Sequence, residues 1–186
     1  PAPFGGFISN ATPVPQLREP AADALHPYGI QRIDLPRNVT DASNEDMFIS
    51  AAYDGRGGVW FSPYKANAFV RVDTATGTTT AHIPAAFVPD PTQERLHFTG
   101  SVYDPQRGVV WSVPNYGAEL HVLNVTDISQ SRGVALTDVP SAGYTAGMPY
   151  AFLGAVLDTA GNGLFLVPHQ ATGIVRVDTE THALDG

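Results

Sequence analysis

Short apolar segments alternate with turn residues along the whole chain. β-Branched and aromatic residues form brief runs, and Gly, Pro, Asn and Asp separate one run from the next. The 3.6-residue apolar period of amphipathic helices is missing. The pattern therefore predicts an all-β protein built from short strands.

Three stretches of the sequence repeat one another, over residues 48–73, 98–124 and 152–178. Each copy begins with Phe, reaches Asp six residues later, continues with an apolar segment that ends in Pro, and closes with a second apolar segment that ends in Asp or Asn. Asp54, Asp104 and Asp158 mark equivalent positions, spaced by 50 and then 54 residues. Offsets this regular indicate a repeat architecture.

Each copy predicts three clear strands and a weaker fourth, over 78–83 and 133–136 in the first two copies. A four-stranded antiparallel unit of about 50 residues is typical of a β-propeller blade. Small residues such as Gly100 and Ser101 are expected in the innermost strand, where blades crowd together at the axis.

The sequence thus predicts one β-propeller domain over residues 1–186. A fainter copy upstream, in which residues 5–9 and 30–34 match the later repeats, places a first blade at about 1–45. The next blades are expected at about 46–96, 97–149 and 150–186, the last ending after its third strand. Either the ring has four blades, or the chain is part of a propeller of six or seven.

Charge and composition narrow the classes of function. The chain has 18 acidic and 10 basic residues and a net charge of −8, whereas general nucleic-acid binding needs an excess of Lys and Arg. No apolar run approaches the roughly 20 residues of a membrane-spanning helix. Cysteine is absent, so disulfides and thiolate chemistry are excluded. The chain lacks an initiator Met, and we expect it to be processed, trimmed or a fragment.

Three Asn-x-Thr sequences start at Asn10, Asn38 and Asn124. Such sequences accept N-glycans in secreted proteins, although they also arise by chance. We therefore expect a secreted or cell-surface glycoprotein.

The first clear repeat resembles known propeller families. Residues 58–62, Asn67, 69–73 and 76–77 are similar to blades of the streptogramin-lyase-like, NHL and SMP-30-like propellers, and the resemblance extends over about 45–186. It implies a propeller fold. For the enzymes among these families it also implies a Glu or His after the second strand, or a divalent cation held on the axis. Here the aligned positions are Pro63, Val113 or Pro114, and Pro168, with His169 adjacent.

Loops over the axis usually carry the function of propellers, since rigid blades hold them in place. The loops after the repeat prolines contain aromatic, amide and charged groups that suit sugars and other polar ligands. The candidate ligand-binding residues are Tyr64, Lys65, Asn67, Asn115, Tyr116, Glu119, His169 and Gln170. Ordinary solvated loops are the alternative interpretation.

Other recurring residues have structural interpretations. The single Asp of each first loop is expected to cap a turn, since Ca²⁺ needs six to eight oxygens. Arg71 and Arg176 are expected to pair with Asp residues between blades, and Trp60 and Trp111 to pack in the core.

These observations predict a non-enzymatic extracellular propeller, without a cofactor, that binds a protein or a glycan or builds an assembly. Self-assembly or a partner chain is expected to cover open blade faces. The alternative is a lyase-like or lactonase-like enzyme with a divalent cation near the axis and His169 as its catalytic residue.

Overall fold

The computed structural model describes residues 32–40, 46–88, 96–160 and 162–186. These residues form three four-stranded antiparallel sheets, together with the short 3₁₀ helices Ile128–Gln130 and Pro140–Ala142. The predicted all-β propeller architecture is confirmed. Most of the expected first blade, over about 1–45, and the sequon at Asn10 lie outside the described residues.

Each sheet contains four strands in chain order. The first sheet consists of β1 (Phe48–Tyr53), β2 (Gly58–Pro63), β3 (Phe69–Asp73) and β4 (Thr79–His82). The second sheet consists of β5 (Phe98–Asp104), β6 (Val109–Pro114), β7 (Glu119–Asn124) and β8 (Arg132–Ala135). The third sheet consists of β9 (Phe152–Asp158), β10 (Gly163–Pro168), β11 (Val175–Asp178) and β12 (Leu184–Asp185).

The last sheet differs from the sequence expectation in one respect. Its fourth strand, β12, pairs with β11 through Arg176 opposite Asp185 and Val177 opposite Leu184. The sequence predicted an end after the third strand because a two-residue strand with one apolar residue leaves no alternating pattern to recognise.

The recurring Asp residues close the first turn of each repeat, as predicted. Asp54 Oδ1 accepts backbone hydrogen bonds from Arg56 and Gly58, both at 2.8 Å. Asp104 Oδ1 accepts one from Gln106 at 3.0 Å. In each turn the Asp carboxylate accepts hydrogen bonds from backbone N–H groups that have no backbone partner.

The ion pairs of the recurring Arg residues lie within single sheets, which corrects the expectation that they form between blades. Arg71 Nη1 lies 3.5 Å from Asp73 Oδ2, and Arg176 Nη2 lies 3.7 Å from Asp178 Oδ2. Residues two positions apart on a strand point to the same face, so each of these ion pairs forms along one strand.

The sheets pack face to face through large apolar side chains. Trp60 belongs to a cluster that joins the first sheet to the second, and Trp111 belongs to one that joins the second to the third. They are 1% and 0% exposed, which confirms their assignment to the core. On the other face of the first sheet, Val70 and Val72 pack with Val39.

The first strands of neighbouring sheets, β1, β5 and β9, contact one another and therefore lie innermost. A Cβ added at Gly100 would overlap Gly154 Cα and lie 3.2 Å from the Leu153 carbonyl oxygen. Ser101 Oγ lies 2.8 Å from Ser50 Oγ and donates to Ser62 Oγ at 2.7 Å, so hydroxyls also join the first two sheets. Small residues thus allow backbone-to-backbone packing.

The close contact at Gly100 predicts a large difference between two matched substitutions. Gly100→Ala is expected to lower the free energy of unfolding by about 1–3 kcal/mol, because the strands must move apart. In Gly154→Ala the new Cβ has nothing within 4 Å, so little change is expected. Urea denaturation of both variants measures the difference, and equal stabilities would contradict the packing described.

His121 occupies a core position between the first two sheets. It stacks on Phe69, with ring centroids 5.1 Å apart, and lies 5.9 Å from Phe98. The equivalent residues of the other two repeats, counted back from the Asp or Asn that closes each third strand, are Val70 and Val175. Burial lowers the pKa of His121 to about 4.

This low pKa predicts that stability falls in mild acid. The unfolded chain, in which a His pKa is about 6.5, binds the proton more tightly than the folded chain. Stability is therefore lost as the pH falls from about 6.5 to 4, by roughly 3 kcal/mol. Urea denaturation across this pH range measures the effect. His121→Val should lose less stability than the wild-type protein, by about 3 kcal/mol. The same pH dependence in both proteins would contradict the assignment.

Candidate functional site

The loops after the repeat prolines lie at the end of the sheets where the first strands begin. The first residue of each loop donates its backbone N–H to the residue just before the first strand of the same sheet, at 2.8–2.9 Å: Tyr64 to Met47, Asn115 to His97, and His169 to Ala151. The repeat thus brings these three loop positions to equivalent places.

The same loop residues also link neighbouring sheets. His97 N donates to the Tyr64 carbonyl at 2.8 Å, and Tyr150 N donates to the Asn115 carbonyl at 2.8 Å. Together these bonds form a backbone belt across the three sheets. The belt fixes the loops relative to one another, which is the preorganisation that a binding site needs.

The belt gathers five side chains, which we call the tyrosine cluster: Tyr64, Asn115, Tyr116, Tyr150 and His169. The rings of Tyr116 and Tyr150 meet edge to face at 4.8 Å. The His169 ring lies 6.4 Å from that of Tyr150, and its Nδ1 is 3.2 Å from the Tyr150 carbonyl oxygen. Tyr116 and His169 are exposed, so the cluster opens to solvent.

Asn115 is the most unusual member of the cluster. Asn115 is 1% exposed, and neither of its amide atoms makes a hydrogen bond of good geometry to a described residue. Its polar neighbour is the Tyr64 hydroxyl group, whose pKa burial raises and the amide lowers. Leaving a buried donor or acceptor unpaired costs about 1–3 kcal/mol, so such groups call for an explanation.

The hydroxyl groups of Tyr64 and Tyr116 stay protonated at neutral pH. Burial raises the pKa of Tyr64, and the nearby Asn115 amide only partly opposes the rise. A hydrogen bond with Tyr150 raises the pKa of Tyr116. Tyr64 and Tyr116 therefore present uncharged hydroxyl groups that can both donate and accept hydrogen bonds.

Tyr150 was not predicted from the sequence. It precedes the third repeat and falls outside the matched segments, although Pro149 before it marks an irregular entry to β9. Its backbone adopts a φ of 51°, which is rare for a bulky residue and strained. Strained backbone of this kind occurs often at ligand sites.

The remaining predicted residues lie outside the cluster. Asn67 holds the segment before the first sheet, since its Oδ1 accepts from Thr40 N at 3.0 Å and its Nδ2 donates to the Asn38 carbonyl at 3.1 Å. Lys65 Nζ lies 3.8 Å from Asp46 Oδ2. The side chain of Gln170 is exposed, and Glu119 borders a separate cavity between the second sheet and residues 86–88.

The two sequons within the described residues differ. Asn38 is exposed in a turn. Asn124 ends β7, and its Oδ1 accepts hydrogen bonds from Thr126 N at 3.0 Å and Asp127 N at 2.9 Å. Asp73 makes the same turn in the first repeat, so the Asn-x-Thr sequence at Asn124 also has a structural explanation.

Two features are absent from the described residues. No three His, Asp or Glu side chains in the described ranges come together as a metal site. Nor does any helix in this part of the chain have the length and apolar character to cross a membrane.

The comparisons with known proteins support the fold. No family profile and no curated protein matches the sequence. A chain of the crystal structure of a nidogen/laminin complex superposes with a TM-score of 0.54 at 15% identity, over 74% of this chain and 46% of its own. Hydrazine synthase of Kuenenia stuttgartiensis gives 0.55 at 11% identity, over 78% and 36%. This chain thus spans less than half of either structure, and the similarity concerns the propeller fold alone.

Proposed function

We propose that this β-propeller is a binding module whose tyrosine cluster takes a neutral carbohydrate. The observation that carries the proposal is the buried Asn115 amide, which makes no hydrogen bond of good geometry to a described residue and lies beside the Tyr64 hydroxyl group and solvent-open tyrosine rings. An amide offers a donor pair and an acceptor, which match vicinal sugar hydroxyls. A ligand that satisfied both would repay the cost of burying the amide.

The rest of the cluster supports the same ligand class. Tyr116, which is 41% exposed, and Tyr150 offer ring surface for the apolar face of a sugar. Raised pKa values keep the hydroxyls of Tyr64 and Tyr116 uncharged. Such a surface favours a neutral polar ligand over a charged one. The nearby charges of Lys65 and Asp46 face each other at 3.8 Å and leave little net field.

Isothermal titration with chitotriose, cellotriose and maltotriose tests this proposal. We expect saturable binding of at least one of these neutral oligosaccharides. Asn115→Ala and Tyr150→Ala should weaken it tenfold or more, because each removes a group that contacts the sugar. Tyr53→Ala is the matched control, since Tyr53 is a 56% exposed aromatic residue at the opposite end of β1.

Two outcomes would overturn the carbohydrate assignment. One is that the folded wild-type protein binds none of the three oligosaccharides. The other is that it binds one of them and Asn115→Ala leaves the affinity unchanged.

We also propose that the protein is secreted and carries an N-glycan at Asn38. This side chain is exposed in a turn, and the segment's bond to Asn67 uses the Asn38 backbone carbonyl, which leaves the side-chain amide available. When the protein is expressed through a secretory pathway, its mass should fall after N-glycans are removed. This loss of mass should be smaller for Asn38→Gln than for the wild-type protein. An equal loss of mass in both proteins would exclude Asn38.

A further inference from the structure

A cavity of about 490 Å³ lies between the second sheet and residues 86–88 of the segment that follows β4. Its aromatic wall comprises Phe87, Phe98, His97 and His121, and Ala118 and Glu119 border it from the loop before β7 and the start of β7. Its volume falls within the range of small-molecule pockets. The cavity is distinct from the tyrosine cluster, although Tyr116 borders both.

His121 differs in chemistry from the residues that fill its position in the other two repeats. The equivalent positions hold Val70 and Val175, which are both 0% exposed in well-packed apolar clusters. His121 is itself 4% exposed, and its Nε2 atom is buried without a hydrogen-bond partner among the described residues. A Val would fill the core without this unpaired polar atom, so the packing of the repeat alone does not account for a His here.

The chemistry of the wall defines what it can recognise. His121 is uncharged at neutral pH, because burial lowers its pKa to about 4, and a neutral imidazole nitrogen accepts or donates one hydrogen bond according to its tautomer. Phe87 and Phe98, whose ring centroids are 5.9 Å apart, offer apolar surface for a flat ring. The Glu119 carboxylate at the border disfavours an anion.

We propose that this cavity binds a small neutral aromatic molecule with a phenolic hydroxyl group, which forms a hydrogen bond with Nε2 of His121. A hydroxyl group fits either tautomer, since it both donates and accepts. The flat ring packs against the phenylalanine side chains. This site is independent of the carbohydrate site proposed above.

Binding of two matched probes to the whole protein tests the proposal. 2-Naphthol carries the hydroxyl group, and 2-methylnaphthalene replaces it with a methyl group of similar size. We expect the wild-type protein to bind 2-naphthol at least tenfold more tightly than 2-methylnaphthalene. His121→Val should lose this preference for 2-naphthol or reverse it, because the hydrogen bond is gone and an apolar cavity accepts a methyl group more readily than an unpaired hydroxyl group.

Two further variants separate this effect from misfolding and from surface adsorption. His121→Val copies the residue of the other repeats, and its circular dichroism and melting are recorded alongside. Ala118→Phe narrows the border of the cavity and should weaken the binding of both probes at least fivefold. Tyr53→Ala, which removes a distant exposed aromatic side chain, should change neither affinity.

Three results would overturn the proposal. The first is that folded wild-type protein shows no saturable binding of 2-naphthol. The second is that His121→Val keeps the preference for 2-naphthol. The third is that Ala118→Phe binds both probes as the wild-type protein does. None of these results bears on oligosaccharide binding, so the two proposed sites succeed or fail separately.

Discussion

The structure depends on the close approach of the innermost strands of neighbouring sheets. Where Gly100 meets Gly154, no side chain separates the two backbones. Between the first two sheets, the hydroxyl groups of Ser50, Ser101 and Ser62 fill the equivalent space with hydrogen bonds. Larger residues here would push the sheets apart and break the bonds that join Tyr64 to His97 and Asn115 to Tyr150. The geometry of the loop surface therefore follows from small residues at the axis.

A repeat also offers an internal standard for what packing requires. Each position performs the same structural task in every copy, so a change of chemistry at one copy points to something beyond that task. The loop position after the repeat proline differs in every copy, as Tyr64, Asn115 and His169, and only Asn115 is buried there without a hydrogen bond of good geometry to a described residue. His121 stands where the other copies have Val. Both departures border open space, the first at the tyrosine cluster and the second at the cavity.

Much of the fold followed from the sequence, because a repeat multiplies every weak signal. The four-stranded unit, the turn-capping role of Asp54 and the small residues at the axis are readable from spacing and composition. The convergence of the three loops was also predictable, since equivalent positions in blades face the same end. These inferences need only local chemistry and the constancy of the repeat.

Other features depend on three-dimensional packing that no spacing reveals. Tyr150 lies outside the matched segments and reaches the cluster through a backbone bond between sheets. The sequence motif contained Arg71 and Asp73 together, yet only the direction of their side chains shows that they pair along one strand. The cavity beside His121 arises from the fit of the second sheet against the segment that follows β4. Such a space is a property of surfaces, which sequence patterns do not specify.

The most direct test of this account is the side-chain amide signal of Asn115 in a ¹⁵N–¹H correlation spectrum, followed during titration with the oligosaccharide that binds most tightly. The account predicts that this signal shifts and saturates with the same dissociation constant as calorimetry, because the ligand supplies the missing hydrogen bonds. A signal that stays fixed while the protein becomes saturated would place the ligand elsewhere and contradict the assigned role of the buried amide.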